Sequence, residues 1–304
     1  MTGQLITGFG GTPGFIEGDL AGIASALERL RECGANCVEL YASAMVVASG
    51  GRLIPERIRE LVRISEGSGL TPTLHAPVTL NFMDQDNAAV HWRAAEVSLA
   101  LAEELKAPIV VFHAGRCPPL LWTKEGDDLL AHEREAFERL GEKAAAAGTK
   151  AAIENISPNS MVLSGQLTSY SLDASKLAEQ LAKIEHPAIT GCLDISHARQ
   201  GAEIMGSDFL AGVEAMGPVT GHIHISDCTG EPAPPFAGSN IDRIFYGVGD
   251  MHAPLGWGSI DFSAVATVLS PRPGTRGILE LTDVVQHQMA DSIARLKSFA
   301  EQVG

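Results

Sequence analysis

Short apolar runs alternate with longer amphipathic stretches along the whole chain, and this alternation is the feature that most constrains the fold. The runs have the length of β-strands, and the stretches between them are rich in Ala, Leu, Glu and Arg at helical spacing. Strand-then-helix units at intervals of roughly 30–40 residues indicate a parallel sheet, because a parallel neighbour is reached only through a crossover. The eight runs predict a closed (β/α)8 TIM barrel rather than an open sheet.

The predicted elements extend over the chain without a linker between them. The predicted strands are residues 5–8, 37–41, 71–75, 109–113, 151–155, 189–194, 222–225 and 277–281. The predicted helices are residues 18–33, 55–68, 87–105, 133–147, 172–184 and 286–302. Barrels of about 250 residues routinely form one domain, so we expect residues 1–304 to form a single domain.

The composition restricts the environment and the partners. A formal net charge of −15 argues against a nucleic-acid or membrane-surface partner. The five cysteines form no C-x-x-C pair, which favours a reducing compartment over a disulfide framework. The chain begins without the basic and apolar regions of a signal peptide, and no apolar run approaches the ~20 residues of a membrane span. We therefore expect a cytoplasmic protein with a small-molecule substrate, and its state as a monomer or a homo-oligomer stays open.

Histidines and carboxylates stand at or just after the ends of most predicted strands from the third onward. The strand ends of a barrel meet at one rim, so we expect these side chains to converge on one mouth. The residues concerned are His75, His113, Glu154, Asp194, His197, His222, His224, Asp250, His252 and Glu280. So many imidazoles and carboxylates share a small volume when divalent cations supply the counter-charge, the alternative being a metal-free hydrogen-bonded network. Imidazole and carboxylate ligands favour Zn²⁺, Mn²⁺ or Fe²⁺ over Mg²⁺.

Two polar residues near the seventh strand end are predicted to support or contact the substrate. His222 precedes His224 by two residues, so both side chains point to the same side of the strand, with His224 nearer the rim. We expect His222 to contact the substrate or to orient a metal ligand. Asp227 follows His224 by three residues and is assigned the same two alternatives.

The stretch 228–249, rich in Pro and Gly, is the loosest part of the chain and is expected to act as a lid. It contains Arg243, which we expect to bind a carboxylate or phosphate group of the substrate. The alternative is that Arg243 neutralises Asp242 or Asp250 on the surface.

The segments around the strand ends resemble the xylose-isomerase-like barrel superfamily, which includes sugar isomerases and epimerases and also endonuclease IV. The matching segments are LHAP at 74–77, VFHAG at 111–115, AIEN at 152–155, LDISH at 193–197, HISD at 224–227, DMH at 250–252 followed by GWG at 256–258, and LEL at 279–281. Their order and spacing extend the resemblance from the second predicted strand to the last helix.

The resemblance to the sugar epimerases implies one metal ion with four ligands. In this sequence the four ligands are Glu154, Asp194, His224 and Glu280. The two glutamates would also move a proton off and onto the carbon beside a carbonyl, while the metal stabilises the enediolate. His197 would hold a substrate oxygen. The catalytic residues implied are therefore Glu154, Glu280 and His197.

The resemblance to endonuclease IV implies three metal ions with nine ligands, so one to three ions per chain are expected. All nine positions have a matching residue: His75, His113, Glu154, Asp194, His197, His224, Asp250, His252 and Glu280. Such a cluster would generate a hydroxide and hold the phosphate during hydrolysis.

The sequence departs from endonuclease IV in the parts that handle DNA. The first strand region (TGFGGTPG at 7–14) lacks the expected histidine, residues 41–47 lack a basic and aromatic cluster, and the loop 116–122 reads as apolar rather than phosphate-binding. We therefore expect isomerase or epimerase chemistry on a small polyol, ketose or sugar phosphate. An endonuclease IV-type phosphodiesterase is the alternative, followed by a lyase or oxidase and by a non-enzymatic binding module.

Overall fold

Eight parallel strands close into a barrel in the computed structural model, which describes residues 3–14 and 18–304. The strands are β1 (Ile6–Gly11), β2 (Cys37–Tyr41), β3 (Thr71–His75), β4 (Ile109–His113), β5 (Lys150–Glu154), β6 (Ile189–Asp194), β7 (Thr220–Ile225) and β8 (Thr275–Leu279). Each strand pairs with the next along the chain, and β8 pairs with β1. The predicted (β/α)8 TIM barrel is confirmed.

Helices surround the barrel in the described part of the chain. They are α1 (Leu20–Glu32), α2 (Pro55–Ser68), α3 (Ala88–Leu105), α4 (Pro119–Ala146), α5 (Ser160–Leu163), α6 (Ala174–Leu181), α7 (Ile195–Met205), α8 (Phe209–Met216), α9 (Asn240–Tyr246), α10 (Phe262–Val268) and α11 (Met289–Gln302). Short 3-10 turns occupy Tyr170–Leu172, Gly217–Val219 and Asp283–Gln288. A small hairpin of Ala48–Ser49 and Arg52–Leu53 follows β2. None of the described helices combines the length and apolar character that crossing a bilayer requires.

The register of the strands places polar residues opposite one another at the carboxyl-terminal rim. Tyr41 pairs with His75, His113 with Glu154, and Asp194 with His224. The strands below the rim are buried between the barrel interior and the helices. Their residues are mainly apolar, as burial on both faces favours, and Glu39, Thr73 and His222 are buried polar exceptions. The hydrophobic core thus lies beneath the polar rim and supports it.

No loop separates β6 from α7. Asp194 ends the strand and caps the helix, because its Oδ1 accepts a hydrogen bond from the backbone N–H of His197 at 2.7 Å. The strand end and the first turn of the helix therefore form one rigid junction at the mouth of the barrel.

Several element boundaries differ from the predictions. Strand β1 runs to Gly11 instead of ending at residue 8, since its glycines allow close packing: a Cβ at Gly10 would collide with the backbone of Cys37. Helix α4 begins at Pro119 rather than at residue 133, with a break at Glu125, where φ is −133°. The stretch 228–249 contains helix α9, so the predicted loose loop is partly helical.

A buried carboxylate joins the loops that follow β4 and β5. Oε1 of Glu133, in α4, accepts a hydrogen bond from Gly115 N, and its Oε2 accepts one from Tyr170 Oη, both at 2.6 Å. Ser169 Oγ donates to Gly115 O, also at 2.6 Å. Burial raises the pKa of Glu133 to about 7, although the hydrogen bonds from Tyr170 and Gly115 oppose the rise. Both loops contribute to the mouth of the barrel, and Glu133 fixes them relative to each other.

The raised pKa of Glu133 predicts a pH-dependent contribution to stability. The protonated carboxyl stabilises the fold fully below the ordinary pKa of 4.5, and this contribution is lost as the pH rises through about 7. The free energy involved is on the order of 3 kcal/mol. Replacing Glu133 by Gln removes the ionisation. The free energy of unfolding of the variant minus that of wild type, measured with urea, should therefore be larger at pH 8 than at pH 5. Glu135→Gln, at an exposed position of the same helix, serves as the control. If the free energies of unfolding of Glu133→Gln and wild type differed by the same amount at pH 5 and pH 8, this assignment would be contradicted.

Candidate metal centre

The mouth of the barrel contains a cavity of about 320 Å³ at the carboxyl ends of the strands. Strand ends and the segments that follow them supply its polar floor: Tyr41, His75, His113, Glu154, His197, Asp250, His252 and Glu280. The loops after β3, β4 and β5 supply its walls: Val78, Thr79, Arg116, Ser157, Asn159 and Met161. A cavity of this size accommodates a small molecule.

Four buried side chains form the first group of potential metal ligands. Glu154, Asp194, His224 and Glu280 offer ligand atoms that all lie within 4.8 Å of one another. Nδ1 of His224 lies 3.0 Å from Oε1 of Glu154 and 3.7 Å from Oε1 of Glu280. The structure therefore brings together the four residues that the one-metal arrangement requires.

A second group lies on the side of the loop that follows β7. It consists of His197, Asp250 and His252, and Oδ2 of Asp250 is 3.1 Å from Nε2 of each histidine. His252 has a left-handed backbone with φ of 45°, which is uncommon for a residue with a side chain. Its Nδ1 lies 2.8 Å from Glu280 O, so the ring is held with Nε2 facing Asp250.

A third group surrounds the other oxygen of Glu154. Nε2 of His75 lies 3.1 Å from Oε2 of Glu154, and Nε2 of His113 lies 3.3 Å from the same atom. His75, Glu154 and His224 offer ligand atoms within 4.8 Å of one another. All nine predicted ligands thus lie around one mouth, and Glu154 and His224 each belong to two of the groups.

The chemistry of these side chains fits divalent cations. Burial, together with the nearby Glu154 and Glu280, raises the pKa of Asp194 to about 7 against the opposing effect of His197. Oδ2 of Asp194 is buried and has no hydrogen-bond partner among the described residues. A buried carboxylate oxygen without a partner is costly, and a cation bound to it would remove that cost. The ligand types suit Zn²⁺, Mn²⁺ or Fe²⁺.

The sequence analysis missed Glu39, a fully buried carboxylate inside β2. Its Oε2 accepts hydrogen bonds from Nε2 of His222 at 2.7 Å and from Oγ1 of Thr73 at 2.9 Å. Its Oε1 lies 2.7 Å from Nε2 of His224, at ion-pair distance without the alignment of a hydrogen bond. Glu39 therefore holds His224 from behind, so that Nδ1 faces the first group. A charged residue within an apolar strand was the signal that could have identified it.

Tyr41 was also missed as a residue of the site. It ends β2, lines the cavity, and donates a hydrogen bond from Oη to Oε1 of Glu280 at 2.7 Å. Its ring stacks on that of His75 with centroids 5.1 Å apart. Burial, and then Glu280, raise the pKa of Tyr41 well above its ordinary value, so the phenol stays a donor. Tyr41 also stands at a strand end, so its position at the mouth follows from the barrel geometry. The sequence prediction considered only histidines and carboxylates at the strand ends.

His222 and Asp227 lie outside the lining of the cavity. His222 is fully buried against Glu39, deeper in the barrel than the rim. Asp227 accepts hydrogen bonds from the backbone N–H groups of Gly256, at 2.8 Å, and Ile260, at 3.2 Å. These positions do not support the predicted substrate contacts. Asp227 instead fixes the turn after the DMH segment, and His222 completes the surroundings of Glu39.

Arg243 also lies outside the lining of the cavity. It belongs to α9 and donates to two backbone carbonyls, Ala237 O at 3.4 Å and Asp250 O at 3.5 Å. The described residues show no ion pair between Arg243 and either Asp242 or Asp250. Neither the predicted substrate contact nor the surface ion pair matches this position, and Arg243 instead supports the backbone of the second ligand group.

The position of Glu39 predicts that it sets metal affinity without binding the metal. Replacing Glu39 by Gln keeps the size of the side chain but removes the charge that faces His224. We expect the affinity for Zn²⁺, measured by competition with a chromogenic chelator, to fall by about 10- to 100-fold. Thr73→Val removes another hydrogen bond to Glu39 but leaves both histidine contacts, so it should change the affinity far less. Equal affinities for Glu39→Gln and wild type would refute this role.

Comparisons with known proteins agree with the fold. A D-tagatose 3-epimerase-like protein has 19% sequence identity and a TM-score of 0.71, over 98% of each chain. A D-allulose 3-epimerase from Methylomonas sp. has 16% identity and a TM-score of 0.66, also over 98% of each chain. The TTHB071 protein from Thermus thermophilus, described with ZnCl2 soaking, has 21% identity and a TM-score of 0.61, over 94% of this chain and 96% of that one. A search of curated protein sequences found no match. The family model for the xylose isomerase-like TIM barrel matches residues 27–299, and the chain belongs to this family.

Proposed function

We propose that the protein is a divalent-metal-dependent enzyme that isomerises or epimerises a small sugar-like polyol or ketose. The observation that carries this proposal is the position of Glu154 and Glu280. Both carboxylates line the cavity, and both belong to the first ligand group together with Asp194 and His224. Two carboxylates beside one substrate carbon can remove a proton from it and return a proton to it.

The surrounding residues suit this proton transfer. Tyr41 donates to Oε1 of Glu280, which leaves Oε2 of that carboxylate for the substrate. His197 is held by its Nδ1, 2.9 Å from Asn155 O, and its Nε2 lies 3.1 Å from Oδ2 of Asp250 on the cavity side. A substrate oxygen would bind Nε2 by sharing or displacing the contact with Asp250. A bound divalent ion would polarise the substrate oxygens. The proposed catalytic residues are therefore Glu154, Glu280 and His197.

The comparisons support a sugar-like substrate. One of the similar solved structures is named a D-allulose 3-epimerase and another a D-tagatose 3-epimerase-like protein, and each similarity extends over 98% of this chain. The cavity of about 320 Å³ is small enough for a substrate of this class.

Phosphoester hydrolysis, including the endonuclease IV type, is the second candidate. The observation that favours it is the presence of the second and third ligand groups, centred on Asp250 and on the far oxygen of Glu154. A multinuclear cluster would activate water and neutralise a phosphate group. The net charge of −15 and the small cavity weigh against a polymeric nucleic-acid substrate.

The first prediction for this proposal concerns the two glutamates. Glu154→Gln and Glu280→Gln keep the shape of the side chains but remove the proton acceptor. Each should reduce exchange of the ketose α-hydrogen with solvent, followed by NMR in D2O, by about 100-fold or more. Glu66→Gln, in an exposed surface ion pair with Lys106, is the control and should exchange as wild type does. Full activity in Glu280→Gln would refute the assignment of the site as a whole.

The second prediction concerns the number of metal ions. We expect about one tightly bound ion per chain after purification without chelator, as the first ligand group implies. Asp194→Asn should lose this ion, whereas Asp250→Asn should keep it. A count of two or three, reduced in Asp250→Asn, would instead favour the hydrolase.

Chelation should lower the melting temperature and leave the circular dichroism spectrum unchanged, because the barrel strands close without the metal.

A further inference from the structure

Arg116 is the one arginine or lysine among the described residues that line the cavity. It lies in the loop after β4, and its side chain is partly buried. The same cavity is lined by the carboxylates of Glu154, Asp250 and Glu280. A single permanent cation in a mouth built mainly from anions and imidazoles requires a physical explanation.

The guanidinium group of Arg116 has few partners within the protein. Its Nη2 donates one hydrogen bond, to Val78 O at 2.8 Å. No carboxylate in the described part of the chain lies within ion-pair distance of it, and burial lowers its pKa without an acidic neighbour to offset the effect. A guanidinium has five N–H donors, so most of its hydrogen-bonding capacity remains unused. A partly buried cation of this kind favours an anion from outside the chain.

The backbone that carries Arg116 is held on both sides. Asn81 accepts from Arg116 N at 3.2 Å and donates to Arg116 O at 2.8 Å. The preceding Gly115 donates to the buried Glu133, and a Cβ at Gly115 would collide with Glu133 and with Met83. The side chain therefore starts from a fixed position, which reduces the entropy lost when it binds a ligand.

Neutral donors line the same cavity as Arg116. The hydroxyl groups of Thr79 and Ser157 have no hydrogen bond to any other described residue, and both side chains line the cavity. Oδ1 of Asn159 accepts the N–H groups that cap α5, which leaves its NH2 group free to donate to a ligand. Arginine together with hydroxyl and amide donors is the set that binds a carboxylate or phosphate group.

We propose that Arg116 binds an oxyanion, either phosphate or carboxylate, on the substrate, away from the carbon that reacts at Glu154 and Glu280. The oxyanion site itself is argued from the surroundings of Arg116. Only the statement that another part of the same substrate reacts at Glu154 and Glu280 rests on the proposed function. It replaces the expectation that Arg243 would bind the anion, and it corrects the interpretation of the loop 116–122 as unsuited to anions. The substrate class becomes a sugar phosphate or a sugar acid rather than a neutral sugar.

The direct test is binding of inorganic phosphate to the metal-loaded protein by isothermal titration calorimetry. Arg116→Gln should bind phosphate at least tenfold more weakly than wild type. Arg295→Gln is the matched control, since it removes an exposed arginine that pairs with Asp291 outside the cavity, and it should bind as wild type does. Equal phosphate affinity in Arg116→Gln and wild type, or no binding by wild type, would overturn the proposal. Arg116→Lys keeps the charge and should give an intermediate affinity if the paired N–H donors matter.

A second measurement distinguishes the two sources of the oxyanion and separates this inference from the proposed function. Wild type and Arg116→Gln are compared on a neutral ketose, a ketose 6-phosphate and a hexuronic acid, with solvent-hydrogen exchange as the readout. We expect wild type to prefer one of the two anionic compounds and Arg116→Gln to lose that preference. The preferred compound then shows whether Arg116 binds a phosphate or a carboxylate group. Phosphate binding that depends on Arg116 without exchange on any of the three compounds would refute the proposed function and leave the oxyanion site standing. Exchange on the neutral ketose that is unaffected by Arg116→Gln, with no preference for either anion, would refute the oxyanion site and leave the proposed function standing.

Discussion

The mouth of the barrel depends on the electrostatic compensation of one buried carboxylate. Glu154 is fully buried, and burial by itself opposes its ionisation. Imidazoles outweigh this effect, with His224 and then His113 contributing most, and they hold the pKa of Glu154 well below its ordinary value. Four imidazoles, from His75, His113, His197 and His224, come within 3.4 Å of its two oxygens. Three of them belong to different strands and His197 belongs to the first turn of α7, so the charge of Glu154 is compensated when the barrel closes with these elements in register.

The sequence predicted the residues whose position follows from barrel geometry. A residue at the end of a parallel strand reaches the rim whatever the loops do, which is why six of the nine potential ligands could be grouped without a structure: His75, His113, Glu154, Asp194, His224 and Glu280. His197, Asp250 and His252 lie beyond the strand ends, and it was the resemblance that placed them in the same set of ligands. Glu39 was missed because it lies inside β2, below the rim, where the strand-end argument does not apply. The positions of Arg243 and Arg116 could not be derived from the sequence, because the path of a loop depends on tertiary hydrogen bonds, such as those between Asn81 and Arg116, that no periodicity encodes. The start of α4 was missed for a related reason, since the helix bends at Glu125.

The three ligand groups have residues in common, but different elements of the fold hold them in place. The first group is built from strand ends and backed by Glu39, inside the barrel. The second group depends on the loop after β7, which Asp227 and Arg243 hold through backbone contacts. The rigid scaffold therefore supports the first group directly, whereas the second can be gained or lost with one loop. This explains how one architecture suits both a one-ion and a multinuclear site.

The direct junction of β6 and α7 separates what can vary in this protein from what cannot. One carboxylate, on Asp194, both caps the start of α7 and belongs to the first group of potential metal ligands, so an inserted or deleted residue there would disrupt the helix start and the ligand group together. The loops that carry Arg116, Ser157 and Asp250 line the cavity, and each places several residues between its strand and the next helix. Substrate contacts can therefore be changed in these loops without shifting the β6–α7 junction, which holds a ligand of the first group.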